Sequence, residues 1–174
     1  DGTLIVLAHA AAAGPGGLAG LAKALTAPGR RIVAPCFHGY GGTRIETTGD
    51  RLDAHVEALR QTLGLYPVRR RIVIGHSMGG LVALLGNPAV DALILYEPIT
   101  LTCLRPDDPG DSAARAWDRA IVATLAGLVA AGDAEAGVRH FVEAWNGSPW
   151  SEIPPSVRSR LIQGAAGLVE EIQA

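Results

Sequence analysis

The sequence predicts an α/β protein, a mostly parallel sheet flanked by helices, with a helical region after it. Three observations carry that expectation. Four short apolar runs, Thr3 to Ala8, Ile32 to Ala34, Ile72 to Ile74 and Ala92 to Tyr96, alternate with segments of helical periodicity, as successive βαβ crossovers require. The third run passes through a Gly-x-Ser-x-Gly turn, Gly75 to Gly79, and leaves it as apolar helix-forming sequence. Beyond Pro98 the strand-like runs stop and only helical spacing remains.

The elements follow in order. Thr3 to Ala8 is continuously apolar, as a strand buried on both faces should be. A loop of small residues, His9 to Gly17, leads to Leu18, Leu21, Ala22 and Leu25 at helical spacing, which Pro28-Gly29 stops. Ile32 to Ala34 is the second strand. The glycine-rich loop Pro35 to Gly49 contains His38-Gly39-Tyr40-Gly41-Gly42. From Asp50 to Leu65, residues Leu52, Val56, Leu59 and Leu63 fall at i, i+4, i+7 and i+11 and predict one apolar helix face. Ile72 to Ile74, the Gly75 to Gly79 turn and a helix from Met78 come next, and Asn87-Pro88 ends that helix. Ala92 to Tyr96 is the fourth strand, and the short connections between strands predict right-handed crossovers.

Arg105 to Gly110 reads as a polar linker with turn chemistry. Three helices are expected after it. Asp111 or Ser112 would cap the first, with Trp117, Ile121, Leu125 and Leu128 on one face, ending at Gly132. Asp133 would cap the second, carrying Val138, Phe141, Val142 and Trp145. Pro154-Pro155 would open the third, carrying Val157, Leu161 and Ile162. Two regions result, residues 1–104 and 105–174. No internal repeat is visible.

The turn at Ser77 carries the chemistry. Gly75 and Gly79 let the chain reverse so tightly that the serine stands at a strained apex, and the helix from Met78 aims its free N–H groups and positive dipole end toward the hydroxyl. With 22 glycines in 174 residues and six serines, about 0.1 such matches arise by chance. The strand before the turn and the helix after it make the match informative.

Composition excludes some classes. A net charge of −2 and a pI near 6.2 give no reason to expect a nucleic acid or an anionic membrane as partner. The basic run Arg69 to Arg71 reads as a solvated strand entrance. Cys36 and Cys103 are too few for a disulfide framework, which points to a reducing, cytoplasmic compartment. Cys36 lacks an adjacent base and reads as a small buried residue. No apolar run approaches the ~20 residues of a membrane span.

His9 after the first strand, Gly39-Tyr40-Gly41, Gly75-His76-Ser77-Met78-Gly79-Gly80 and Leu95-Tyr96-Glu97-Pro98 together resemble the α/β-hydrolase superfamily. The resemblance covers residues 1 to about 98 well, and the later helices are similar to the cap domains of that superfamily. It implies a three-layer core and a serine hydrolase, esterase-like, with Ser77 as nucleophile in the elbow formed by Gly75, His76 and Gly79. It implies an oxyanion hole from the N–H groups of Met78 and of Ala10 or Ala11. The usual glycine after the histidine of the first loop is Ala10 here. It implies no cofactor and a small-molecule substrate, and leaves oligomeric state open. Some members supply the triad acid from the position of Glu97. The other reading of Glu97 is a side chain that bonds nearby backbone or loop groups, with the acid in sequence outside the chain.

A serine needs a base within hydrogen-bond reach. His9 and His38 read as loop-ordering residues, and His55 as a solvated residue on its helix. His76 points away from the nucleophile, and His140 belongs to a cap helix. None fits the base position. Members of the superfamily place the acid and histidine after two further strands beyond the cap, so the resemblance implies an internal portion of a longer fold. Trp117, Phe141 and Trp145 read as cap core. The expected cap, 111–173, would cover the elbow and select an apolar acyl group. The competing reading is a ligand-binding protein that kept the fold without the triad.

Overall fold

Strand β1, Thr3–Ala8, stands inside the sheet with Leu4 to Ala8 buried, and β2 (Arg30–Val33), β3 (Arg70–His76) and β4 (Ala92–Tyr96) complete the order β2-β1-β3-β4. Every pairing is parallel, as crossover helices demand. These features belong to a computed structural model that describes residues 2–45, 50–147 and 149–173. Asp1, Ser148, Ala174 and the end of the second loop, Glu46 to Gly49, lie outside the described residues. The helices of the first region are α1, Ala19–Leu25, α2, Arg51–Gly64, and α3, Met78–Gly86.

The described chain divides into two compact units that meet at Ile99 and Thr100. In the first, Leu4, Val6 and Val73 of the sheet, Phe37 of the second loop, Ala58, Leu59 and Leu63 of α2 and Met78, Val82 and Ala83 of α3 form one core. Burying such side chains contributes about 1.5–3 kcal/mol for each large one. The N-terminus of α2 is fixed by Asp50, whose carboxylate accepts the Asp53 N–H at 3.0 Å. Helix α3 stops at Asn87, which takes a left-handed conformation at φ 36° just before Pro88.

Several expectations are corrected here. The buried side of α2 comprises Ala54, His55, Ala58, Leu59, Thr62 and Leu63, with Leu52 and Val56 only half-buried. His55 is therefore fully buried rather than solvated, its ring 5.1 Å from that of Phe37. The fourth apolar run forms strand β4 as expected, with Leu93, Ile94 and Tyr96 exposed among the described residues. Cys36 is half-buried.

The second unit is helical: α4, Pro109–Ala130, α5, Ala134–Asn146, α6, Pro155–Gln163, and α7, Ala165–Gln173. The cap of α4 is Asp108, which accepts N–H bonds from Gly110 and Asp111 at 2.9 and 3.1 Å, in place of the expected Asp111 or Ser112. Pro109 explains the early start, since its fixed φ suits the first helical position and its missing N–H costs nothing there. Asp133 caps α5 through the Ala136 N–H at 3.0 Å. The expected third helix is two, divided at Gly164. Helices α4 and α5 pack at Gly137, where a Cβ would lie 3.1 Å from Leu125 O. Trp117 and Trp145, expected in the core, are 48 % and 39 % exposed and meet edge-on at 5.1 Å. Trp150 takes the buried place instead, with its backbone and indole N–H groups donating to Glu143 and Glu135. No helix of the described residues is long and apolar enough to cross a membrane.

Candidate active site

Strand β3 is flanked by β1 and β4, with Gly75 level with Ala8 and His76 level with Tyr96, so its carboxyl end delivers Ser77 to the centre of the sheet edge. There the chain reverses. Ser77 has φ 54° and ψ −121°, a conformation that costs a non-glycine residue about 1–3 kcal/mol and persists only when its surroundings impose it. Backbone bonds impose it: the Ser77 N–H donates to Tyr96 O at 3.0 Å, and the Ser77 carbonyl accepts from Gly80 and Leu81 at 2.9 and 3.1 Å. The N–H of Met78 lies ahead of this first turn of α3, at the positive end of the helix. The hydroxyl caps no helical N–H.

Three glycines make the reversal sterically feasible. A Cβ at Gly75 would stand 2.6 Å from Gly79 O, and one at Gly80 would stand 2.9 Å from the Pro98 ring. A Cβ at Gly79 would overlap the Ala8 carbonyl and lie 2.7 Å from His9 O. The last fact brings the first loop to the elbow, since Ala8 and His9 lie with their backbone directly on the start of α3. Ala10, buried, and Ala11, half-buried, follow on the chain from there, and Met78 is buried beneath. The steric role of Gly80 was missed in the sequence, although a glycine directly after the motif was its available signal.

The structure also locates the remaining candidates. His76 faces β4, its ring 5.0 Å from that of Tyr96. Glu97 follows β4 with φ 45° and is exposed; beside it the Tyr96 carbonyl accepts the Ser77 N–H. His9 is fully buried, with Nδ1 2.9 Å from Ala10 O and Nε2 accepting the Phe37 N–H at 3.4 Å. That pairing fits a neutral ring with its proton on Nδ1. His38 accepts the Ile45 N–H on Nδ1 at 3.0 Å, and His140 is an exposed residue of α5 in the other unit. Among the described residues no histidine hydrogen-bonds to Ser77. Nor do three His, Cys, Asp or Glu side chains converge there in a way that could hold a metal ion.

Between the first and second loops sits Tyr40. Its hydroxyl accepts the Ala12 N–H at 2.8 Å, its ring meets His9 edge-on at 4.5 Å, and a Cβ at Gly14 would lie 3.4 Å from its Cδ1. Nothing in the sequence beyond the Gly-Tyr-Gly pattern marked it.

Comparison with known proteins bears on this geometry. The model of a family described as the alpha/beta hydrolase family matches residues 5–169. No curated protein matches the sequence. Among solved structures, MenH from S. aureus is similar with a TM-score of 0.64 at 18 % identity, over 97 % of this chain and 64 % of that one. AqDC, which recognises and cleaves the ring of the Pseudomonas quinolone signal, is similar with a TM-score of 0.63 at 21 % identity, over 99 % of this chain and 63 % of its own. The bottromycin epimerase BotH gives 0.59 at 21 % identity, over 98 % and 64 %. At these identities the likeness is one of fold. The chain spans just under two thirds of the length of these structures.

Proposed function

We propose that this chain, which belongs to the alpha/beta hydrolase family, carries the nucleophile of a serine-dependent hydrolase that cleaves an ester, thioester or amide through an acyl-enzyme intermediate. The observation that carries the reading is Ser77 itself: a non-glycine residue at φ 54°, held at the N-terminus of α3 and free of any capping duty. A strained, half-buried residue that caps nothing is a feature for which packing alone gives no reason.

In this reading Ser77 Oγ attacks the acyl carbonyl while a histidine outside this chain takes its proton, and the resulting oxyanion receives N–H bonds from Met78 and from Ala10 or Ala11. Two facts support those donors. The Met78 N–H precedes the helical ladder, and the backbone leading into Ala10 lies against Gly79. An acyl group that is mainly apolar fits the methyl-lined first loop, Ala10 to Ala13, which offers it no charged side chain.

The intact protein tests the reading by reaction with a fluorophosphonate and mapping of the adduct. Modification at Ser77, together with loss of p-nitrophenyl ester turnover in Ser77→Ala, is the expected result. Labelling at another residue, or unchanged turnover in the variant, overturns it.

A further inference from the structure

The first loop turns at Ala12 in a costly way. The Ala13 N–H donates to Ala11 O at 2.7 Å across Ala12, which has φ 62°. A three-residue turn of this hand is rare and strained, and an alanine gains nothing there that glycine would not give more cheaply. Something outside the turn must hold it. The Ala12 N–H is satisfied by the Tyr40 hydroxyl, 28 positions along the chain, and the same ring packs on His9 and lies where a Cβ on Gly14 would touch it, 3.4 Å from Cδ1. Tyr40 is itself fixed in the second loop, where its N–H donates to Phe37 O at 3.0 Å and its carbonyl accepts from Thr43 at 2.8 Å.

We propose that Tyr40 is a positioning residue for acyl transfer: by holding the turn at Ala12 from the second loop it sets the N–H groups of Ala10 and Ala11 where they meet the oxyanion. The inference rests on the serine-hydrolase reading above and adds to it a residue of the second loop that acts through the first. Its physical basis is that a part-buried N–H left without its acceptor favours rearrangement of the turn that carries it. A displacement of about 1 Å in an oxyanion donor costs up to ~10²-fold in rate.

The test uses the intact protein with Tyr40→Phe, Ala12→Gly and the double variant. Tyr40→Phe keeps the ring and removes the acceptor. It should lower kcat for p-nitrophenyl esters by ~10- to 100-fold with KM within about twofold, because the lost interaction serves the transition state alone. Ala12→Gly on its own is measured alongside as the reference for the double variant. In the Tyr40→Phe background it should restore several-fold of the loss, since glycine holds the positive φ without help. Amide exchange at Ala12 should accelerate at least ~10-fold in Tyr40→Phe while Leu4 to Leu7 keep their protection.

Wild-type kcat in Tyr40→Phe, unchanged exchange at Ala12, or a kcat loss that Ala12→Gly fails to recover would each overturn the positioning role while leaving Ser77 as nucleophile. An intact wild type without Ser77-dependent turnover would overturn the hydrolase reading, and the role of Tyr40 with it.

Discussion

At the scale of single residues, the elbow is specified by where side chains are forbidden. Alanine in a helix interior is normally better than glycine by about 0.5–1 kcal/mol. Gly79 should reverse that sign, because its Cβ would run into the Ala8 carbonyl and neighbouring backbone that cannot swing aside as a side chain could. Gly79→Ala is expected to lose about 1–3 kcal/mol, an overpacking cost, and to lower Tm by several degrees. Gly127→Ala in α4, where nothing lies within 4 Å of the added methyl, should raise Tm instead. Equal shifts for the two variants in thermal unfolding would refute the argument. The motif glycines and Ser77 were legible in the sequence because their spacing is local. His55 and Tyr40 were not, because their burial and bonding depend on Phe37 and on Ala12, residues remote along the chain.

Elements were legible as to kind and less so as to boundary. Asp111 or Ser112 was the cap expected for α4, and periodicity within the helix does not reveal that Asp108 takes that place. Pro109 chooses, since a helix that begins on proline needs its cap one residue earlier. Asp108→Ala should therefore cost about 1 kcal/mol, with Ser112→Ala near neutral, because Asp108 accepts two backbone N–H groups whereas Ser112 Oγ donates to Pro106 O outside the helix. Urea unfolding of both variants decides it: equal midpoints would return the cap to the later residues. The division of α6 from α7 was hidden for a related reason. Gly164 is one residue in otherwise helical sequence, and only its φ of −85° and ψ of 0° mark the break. Trp117 and Trp145 share a helical spacing with true core residues, yet the spacing does not say that Trp150, in a short turn, fills the buried place.

At the scale of the molecule, a parallel sheet with crossover helices was legible from the alternation of apolar runs and helical periods, and the family match agrees with it; the order β2-β1-β3-β4, which puts the Ser77 turn on an inner strand, was not. The proposed acyl transfer needs more than the elbow. In the proposed reaction Ser77 needs a base, and four of the five histidines have contacts of their own: His9 with Ala10 and Phe37, His38 with Ile45, His76 with Tyr96, and His55 stacked on Phe37. Protonation of His9 at Nε2 would cost it the Phe37 N–H bond, which makes it a poor acceptor for the serine proton. The 174-residue chain by itself should therefore turn over p-nitrophenyl acetate no faster than the ~10³- to 10⁴-fold over water that binding and oxyanion donors alone provide. The intact protein should exceed that by further orders of magnitude. Side-by-side steady-state assays, each with its Ser77→Ala control, measure the difference. Enzyme-like turnover at Ser77 in the 174-residue chain would mean that one of its own histidines serves as base. His38 would then be the first to replace, because its Nε2 is left over after Nδ1 accepts the Ile45 N–H.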